Sequence, residues 1–230
     1  MFEETIAYSI TRQLVVRLIE LRNVPPEFSR CPYCGATDLW SLLWPASLAL
    51  AQQLAQAFPA GHWQGKQVLV IGCGVGLESV TLAKLGAQVT ALDHVPAALR
   101  LVQRSCQQNA LPPVRTLCVC WLDSRSVQQL GQYEIVIGSD VLYESADAVA
   151  LQELLTVALQ PGGMALFADP QRESAKAFLR RLESSGFQVQ GHQSQTQWIP
   201  ERQEVRIYHI THQRQLETFG AVQIVTGGKP

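Results

Sequence analysis

The sequence predicts an α/β fold: a mostly parallel, seven-stranded sheet, doubly wound with helices on both faces and closed by an antiparallel hairpin. Three observations predict it. From residue 67 onward, strand-like apolar runs alternate with helical patterns. The first run, Val68 to Ile71, leads directly into glycines at the alternate positions 72, 74 and 76. Two further strand runs, "GFQVQGH" and "EVRIYHITH", end the pattern with no helix between them, as a hairpin requires and a parallel crossover forbids.

In chain order, residues 5 to 22 place Ile10, Leu14, Leu18 and Leu21 on one stripe and predict a helix, after which "NVPPEFSRCPYCGATD" reads as a loop. Together they form an extension, residues 1–39, ahead of a single globular unit, residues 40–230. Trp44 opens a helix with Pro45 in its first turn, where a missing amide hydrogen costs little. The parallel strands are "QVLVIG", "AQVTALD", "VRTLCV", "YEIVIGSD" and "GMALFAD". Helices between and after them show apolar steps of three and four: Ala98, Leu101, Val102 and Ser105; Leu151, Leu154, Leu155 and Ala158; Ala175, Phe178, Leu179 and Leu182.

Composition narrows the function classes. With 47% apolar and 16% charged residues in 230, the chain has enough apolar material for one packed domain. A net charge of −1 provides no global attraction to nucleic acid or to an anionic membrane. Glu3 and Glu4 stand where a signal peptide carries Lys or Arg, and no apolar run approaches the roughly 20 residues of a membrane span, so a cytoplasmic protein is expected. The six cysteines are scattered over loop, helix and strand patterns, as in a reduced protein. Cys31 and Cys34 alone have chelating spacing; a structural zinc needs four ligands, so a turn containing two thiols is the preferred reading and no metal site is assigned. The sequence does not set the oligomeric state.

The glycine loop lies after the first strand, where a parallel α/β sheet binds ligands. Glycine allows a tight turn and close backbone approach to a ligand. A dinucleotide fingerprint would place its third glycine at position 77, where this chain has Leu77, so a nicotinamide cofactor is disfavoured. Asp93 ends the next strand, 21 residues after Gly72, where a carboxylate accepts hydrogen bonds from both ribose hydroxyls. Loop and acid together predict a nucleoside ligand. His94, beside it, reads as a solvent-facing loop residue.

The order "LWPASLALAQQL", "VLVIGCGVGLE", "ALD", "CWLD" and "GSDVLYE" resembles the Rossmann-like, seven-strand S-adenosylmethionine-dependent methyltransferases, and within them the group of protein-lysine methyltransferases and nicotinamide N-methyltransferase-like proteins. The resemblance covers residues 40 to about 190 and makes residues 40–230 the methyltransferase domain. It implies that Trp44, the loop residues Gly72, Cys73 and Gly74, Asp93, Trp121 and Ser139 hold S-adenosyl-L-methionine, and Gly76 is assigned to the same cofactor as the third glycine of the loop. Asp140 and Tyr143 form the D-x-x-Y element, its most specific part. "ADPQR" is similar to the D-P-x-R of enzymes that methylate lysines of the electron-transfer flavoprotein β subunit.

Physical reading of the same residues adds roles. Trp121 follows a strand and is placed to pack on adenine, Asp123 to accept from the exocyclic amine, and Trp44 to cover the cofactor, the plain alternative for both tryptophans being core packing. Asp140 is assigned to orient an acceptor amine and pass its proton toward water, with Tyr143 closing the site; the alternative is that Asp140 caps a helix above a packed Tyr143. No Pro-Cys loop is present, and Val141 and Leu142 replace the Pro-Pro of adenine methylation, so DNA is disfavoured as substrate. Arg172, Lys176 and Arg180 read as a solvated helix face. The expected acceptor is a protein lysine, with a small nicotinamide-like amine as alternative and a non-catalytic cofactor-binding module as the reading from a different class.

Overall fold

The computed structural model describes residues 1–25, 28, 30–31, 35–36, 39–197 and 202–212. Its first element corrects an expectation. Residues 5 to 22 are not a helix but an antiparallel hairpin, β1 (Phe2–Ser9) and β2 (Val15–Arg22), in register from Phe2 opposite Arg22 to Ser9 opposite Val15. Leu14 and Leu18 are four residues apart, an even number, so they share a face at the strand period of two as well as at the helical period, and Ile10 stands opposite Leu14 across the turn. Three things favour the strand. Thr5, Ile6, Val15, Val16 and Ile19 are β-branched. Thr11 accepts from the amides of Gln13 and Leu14 at 3.2 and 3.0 Å, and the Ile10 amide donates to the Leu14 carbonyl at 2.8 Å, which closes the turn. Ser105 and Asn109, one turn apart, accept the amides of Ile19 and Arg17 at 3.2 and 3.0 Å and so fasten β2 to the core.

Two short strands, β3 (Arg30–Cys31) and β4 (Gly35–Ala36), pair antiparallel. Cys31 is buried, whereas Cys34 lies outside the described residues. No group of His, Cys, Asp and Glu able to hold a metal occurs among the described residues. A 3₁₀ turn at Leu39–Ser41 leads to α1 (Pro45–Gln56), with Trp44 at its N-cap and Pro45 at its first position.

The main sheet then follows: β5 (Gln67–Ile71), α2 (Leu77–Lys84), β6 (Gln88–Asp93), α3 (Pro96–Gln108), β7 (Arg115–Cys118), α4 (Ser124–Val127), β8 (Tyr133–Ser139), α5 (Ser145–Ala158), β9 (Leu159–Asp169), α6 (Glu173–Ser184), β10 (Phe187–Gln197) and β11 (Arg202–His212). Across the sheet the order is β7-β6-β5-β8-β9-β11-β10. The pairings from β7 to β9 are parallel, and β11 is antiparallel to both its neighbours, which is the expected closing hairpin. Of "QSQTQWIPER", residues 193–197 continue β10 and Arg202 begins β11; residues 198–201 lie outside the described residues.

Alternate residues of β5 serve opposite layers. Val68 and Val70 pack with α1, α2 and α3, while Leu69 and Ile71 pack with α5 and α6. The expected stripes all face inward: Leu151, Leu154, Leu155 and Ala158 have no exposed surface. No helix among the described residues is long and apolar enough to cross a membrane. The strand order reverses between β5 and β8, which opens a crevice at their carboxyl ends, where the glycine loop lies.

Candidate cofactor and acceptor site

The glycine loop is a closed turn. The Cys73 amide donates to the Leu92 carbonyl at 3.0 Å and the Gly76 amide to the Cys73 carbonyl at 2.8 Å. Gly72 has φ +58°, and a Cβ there would lie 2.6 Å from Val141 Cγ1. Gly76, at φ +92°, is the N-cap of α2; a Cβ would lie 2.8 Å from Val102 Cγ2, so this glycine serves the contact with α3 and does not line the crevice. Cys73 does line it, with its thiol buried and pushed upward in pKa by that burial.

Asp93 is 3% exposed at the end of β6. One carboxylate oxygen accepts the Gly74 amide at 3.0 Å and the other the Val95 amide at 2.9 Å. Burial raises its pKa, against the pull of His94 and the backbone amides. A carboxylate has about four acceptor sites, so capacity for a ribose hydroxyl remains beside these two amides and the weak contact of the Cys73 thiol at 4.0 Å. His94 corrects an expectation: its side chain is 6% exposed, not solvent-facing. The ring is drawn inward, Nδ1 at 3.7 Å from Asp93 and the ring plane edge-on to Trp121 at 6.2 Å. Its Nε2 is buried without a hydrogen-bond partner. Trp121, 5% exposed, donates from Nε1 to Asp147 at 2.8 Å and keeps its ring beneath Gly72. Asp123 leads α4, accepts the Ser126 hydroxyl at 2.5 Å and is not among the residues lining the crevice.

At the other side of the loop, Trp44 is 37% exposed and donates to the Leu39 carbonyl at 2.7 Å, so that it forms part of the rim with Tyr143, also 37% exposed. Asp140 has φ +54° and two partners. Its Oδ1 lies 2.7 Å from Arg172 Nη2, and its Oδ2 accepts the Ala46 amide at 3.2 Å. The helix-capping alternative thus has a physical counterpart: Asp140 caps α1, a helix from a distant part of the chain, while lining the crevice. Burial raises its pKa, and the Arg172 guanidinium opposes that rise. Arg172 itself is not on a solvated face. It precedes α6, turns inward and bridges Asp140 to the fully buried Asp169, at 2.8 Å, while Lys176 and Arg180 remain exposed.

A model of the lysine methyltransferase family matches residues 35–185. The chain belongs to this family. Histone-arginine methyltransferase METTL23 of Rattus norvegicus is 39% identical over 108 residues, 46% of this chain and 47% of that protein. The human METTL23 protein is 35% identical over 108 residues, 46% of this chain and 56% of its own length. The match therefore spans about half the length of these curated relatives. Among solved structures, the T. thermophilus 16S rRNA N2 G1207 methyltransferase RsmC superposes with TM-score 0.64 at 17% identity, over 92% of this chain and 51% of that one. The magnesium protoporphyrin IX methyltransferase ChlM of Synechocystis PCC 6803 gives 0.56 at 20%, over 76% and 85%. At these identities the superpositions show the fold.

The cofactor of the lysine methyltransferase family is S-adenosylmethionine, and the residues present fit it. Asp93 has lone pairs for the ribose, the orphaned Nε2 of His94 lies beside the flat ring of Trp121, and the far wall is anionic, as a cationic molecule requires. Part of that wall is Glu78, the second residue of α2, which sequence reasoning missed. It is 3% exposed and accepts the Ser47 hydroxyl at 2.8 Å and the Ser139 hydroxyl. The available signal was a lone carboxylate directly after the glycine loop, in a helix otherwise free of charge until Lys84.

Proposed function

We propose that the protein is an S-adenosylmethionine-dependent N-methyltransferase whose acceptor is a lysine side chain of a protein. The observation that carries this reading is that the Asp140 carboxylate lines the cofactor crevice together with two partly exposed aromatics, Trp44 and Tyr143. A long aliphatic side chain with a cationic tip fits such an opening, its stem against the rings and its nitrogen at the carboxylate.

S-adenosylmethionine supplies an electrophilic methyl group on a sulfonium. The residues have the task of presenting a neutral nitrogen in line with it, and orientation alone accounts for much of such an acceleration. A lysine ammonium, with an ordinary pKa of about 10.4, must first lose a proton. A dry site beside a cation lowers that pKa, and Asp140 orients the amine and hands its proton to water at the open rim. The Arg172 guanidinium opposes the rise that burial imposes on Asp140 and so favours the carboxylate form, which accepts a hydrogen bond from the amine.

Arginine is the second reading, motivated by the METTL23 relatives, which are histone-arginine methyltransferases. A guanidinium prefers a carboxylate with both oxygens open to its fork. Asp140 has one oxygen on Arg172 and the other on the Ala46 amide, which favours an amine. Incubation of the protein with methyl-labelled cofactor and a cell extract, followed by mass spectrometry of the modified residues, tests both readings. Methyl-lysine supports the proposal; methyl-arginine alone, or label confined to small molecules, overturns it.

A further inference from the structure

Glu78 is a buried carboxylate that the acceptor chemistry above does not use. Acidic side chains are almost never fully buried without a cationic partner. Glu78 has two hydroxyl partners, and none of the ion pairs among the described residues includes it. It faces the same crevice as Asp93 but on the opposite side of the glycine loop. Asp93 ends β6, on one side of β5, whereas Ser139, which donates to Glu78, ends β8 on the other. β5 itself contributes no charge there, since Val68, Leu69, Val70 and Ile71 are all buried and apolar.

With the ribose at Asp93, a cofactor lying across the glycine loop would bring its amino-acid end to the β8 side of the crevice. That end carries an ammonium. We propose that Glu78 is the anionic anchor for the cofactor's amino-acid ammonium group, held in position by Ser47 and Ser139. Burial raises the Glu78 carboxyl above its ordinary value, while the Ser139 hydroxyl, its own backbone amide and Ser47 pull it down and the charge of Asp140 adds to the rise. A bound cation relieves that cost.

The anchor also reaches the acceptor side. Glu78 bonds Ser139 and Ser47, and the residues next to these, Asp140 and Ala46, bond each other at 3.2 Å, which closes a ring of contacts on one wall of the crevice. The carboxylate that binds the cofactor and the one that meets the acceptor are thus fixed to the same two segments.

The inference rests on the cofactor assignment and not on the identity of the acceptor. Calorimetry on the wild type and on Glu78→Gln, which keeps the shape and both serine contacts, compares S-adenosylhomocysteine with 5′-methylthioadenosine, which lacks the amino-acid end. The variant is expected to bind S-adenosylhomocysteine roughly ten- to a hundred-fold more weakly and methylthioadenosine nearly as the wild type does. The truncated ligand doubles as a test of folding. A deaminated S-adenosylhomocysteine titrated into the wild type makes the same deletion from the ligand side, with a similar loss expected and no further loss in the variant. Unchanged affinity for S-adenosylhomocysteine in Glu78→Gln, an equal loss for both nucleosides, or full affinity of the deaminated ligand for the wild type would overturn the assignment. A wild type that binds neither nucleoside overturns the cofactor reading itself, and the inference with it.

Discussion

Asp140 and Arg172 form an ion pair, Oδ1 to Nη2 at 2.7 Å, and the same guanidinium reaches the buried Asp169 at 2.8 Å. One arginine therefore neutralises two carboxylates, of which only Asp140 faces the crevice. Removing it leaves both unpaired. Arg172→Ala is expected to lower stability by about 1–3 kcal/mol, less than a fully buried pair would cost because the arginine is 31% exposed. Methyl transfer should fall by at least about ten-fold, since an unpaired Asp140 holds its proton to higher pH. Urea unfolding and a methyl-transfer assay are the measurements. Loss of stability with undiminished turnover would show that the pair is structural only.

Asp93 sets the second expectation. Asp93→Asn keeps the size of the side chain but loses the charge that accepts both ribose hydroxyls. Binding of S-adenosylhomocysteine should weaken by about 1.5–3 kcal/mol. Methylthioadenosine, which keeps the ribose, should weaken equally, the opposite of the pattern expected at Glu78. Calorimetry with the two ligands separates the anchors.

The sheet was legible because its strands are continuous apolar runs bounded by glycine and by charged residues, and a buried parallel strand has little alternative. The glycine loop and Asp93 were legible because their spacing along the chain corresponds to a spacing in the fold. The N-terminal hairpin was not: the step of four from Leu14 to Leu18 satisfies two periods at once, and beside the β-branched residues it is the turn made by Thr11 and the clasp of Ser105 and Asn109 that decide for the strand. Glu78, His94 and Arg172 were missed or misread for a common reason. Their positions suggest exposure, and what draws each side chain inward is a partner distant in sequence: Ser139 for Glu78, Trp121 for His94 and Asp140 for Arg172.

Gly72 and Gly76 are expected to fail differently when given a side chain. Gly72→Ala brings a Cβ to 2.6 Å from Val141 Cγ1, next to Asp140, in a backbone conformation at φ +58° that strains alanine. Gly76→Ala meets Val102 on α3 at 2.8 Å, away from the crevice. Each should cost about 1–3 kcal/mol in unfolding experiments. Cofactor affinity should drop further in Gly72→Ala, and equal affinity in the two folded variants would contradict the division of labour between these glycines.

Stability should also depend on pH through a group that does not line the crevice. His209 on β11 lies between Phe58 and His192, with ring centroids at 6.4 and 5.3 Å. Burial, and then the neighbouring His192, push its pKa down to about 4, and burial lowers that of His192 as well. In the unfolded chain a histidine titrates near its ordinary value of about 6.5. Between these values the unfolded state binds a proton that the folded state refuses, so stability rises with pH across that window. The contribution of His209 is complete above about pH 6.5 and is lost progressively as the pH falls through about 4. Because both rings are partly exposed, the loss from this group should be about 1–2 kcal/mol rather than the full value of the shift. Urea unfolding between pH 7 and pH 4, on the wild type and on His209→Phe, measures it. The variant has no proton to take up there and should show a shallower decline; an identical slope in both proteins would locate the acid sensitivity elsewhere.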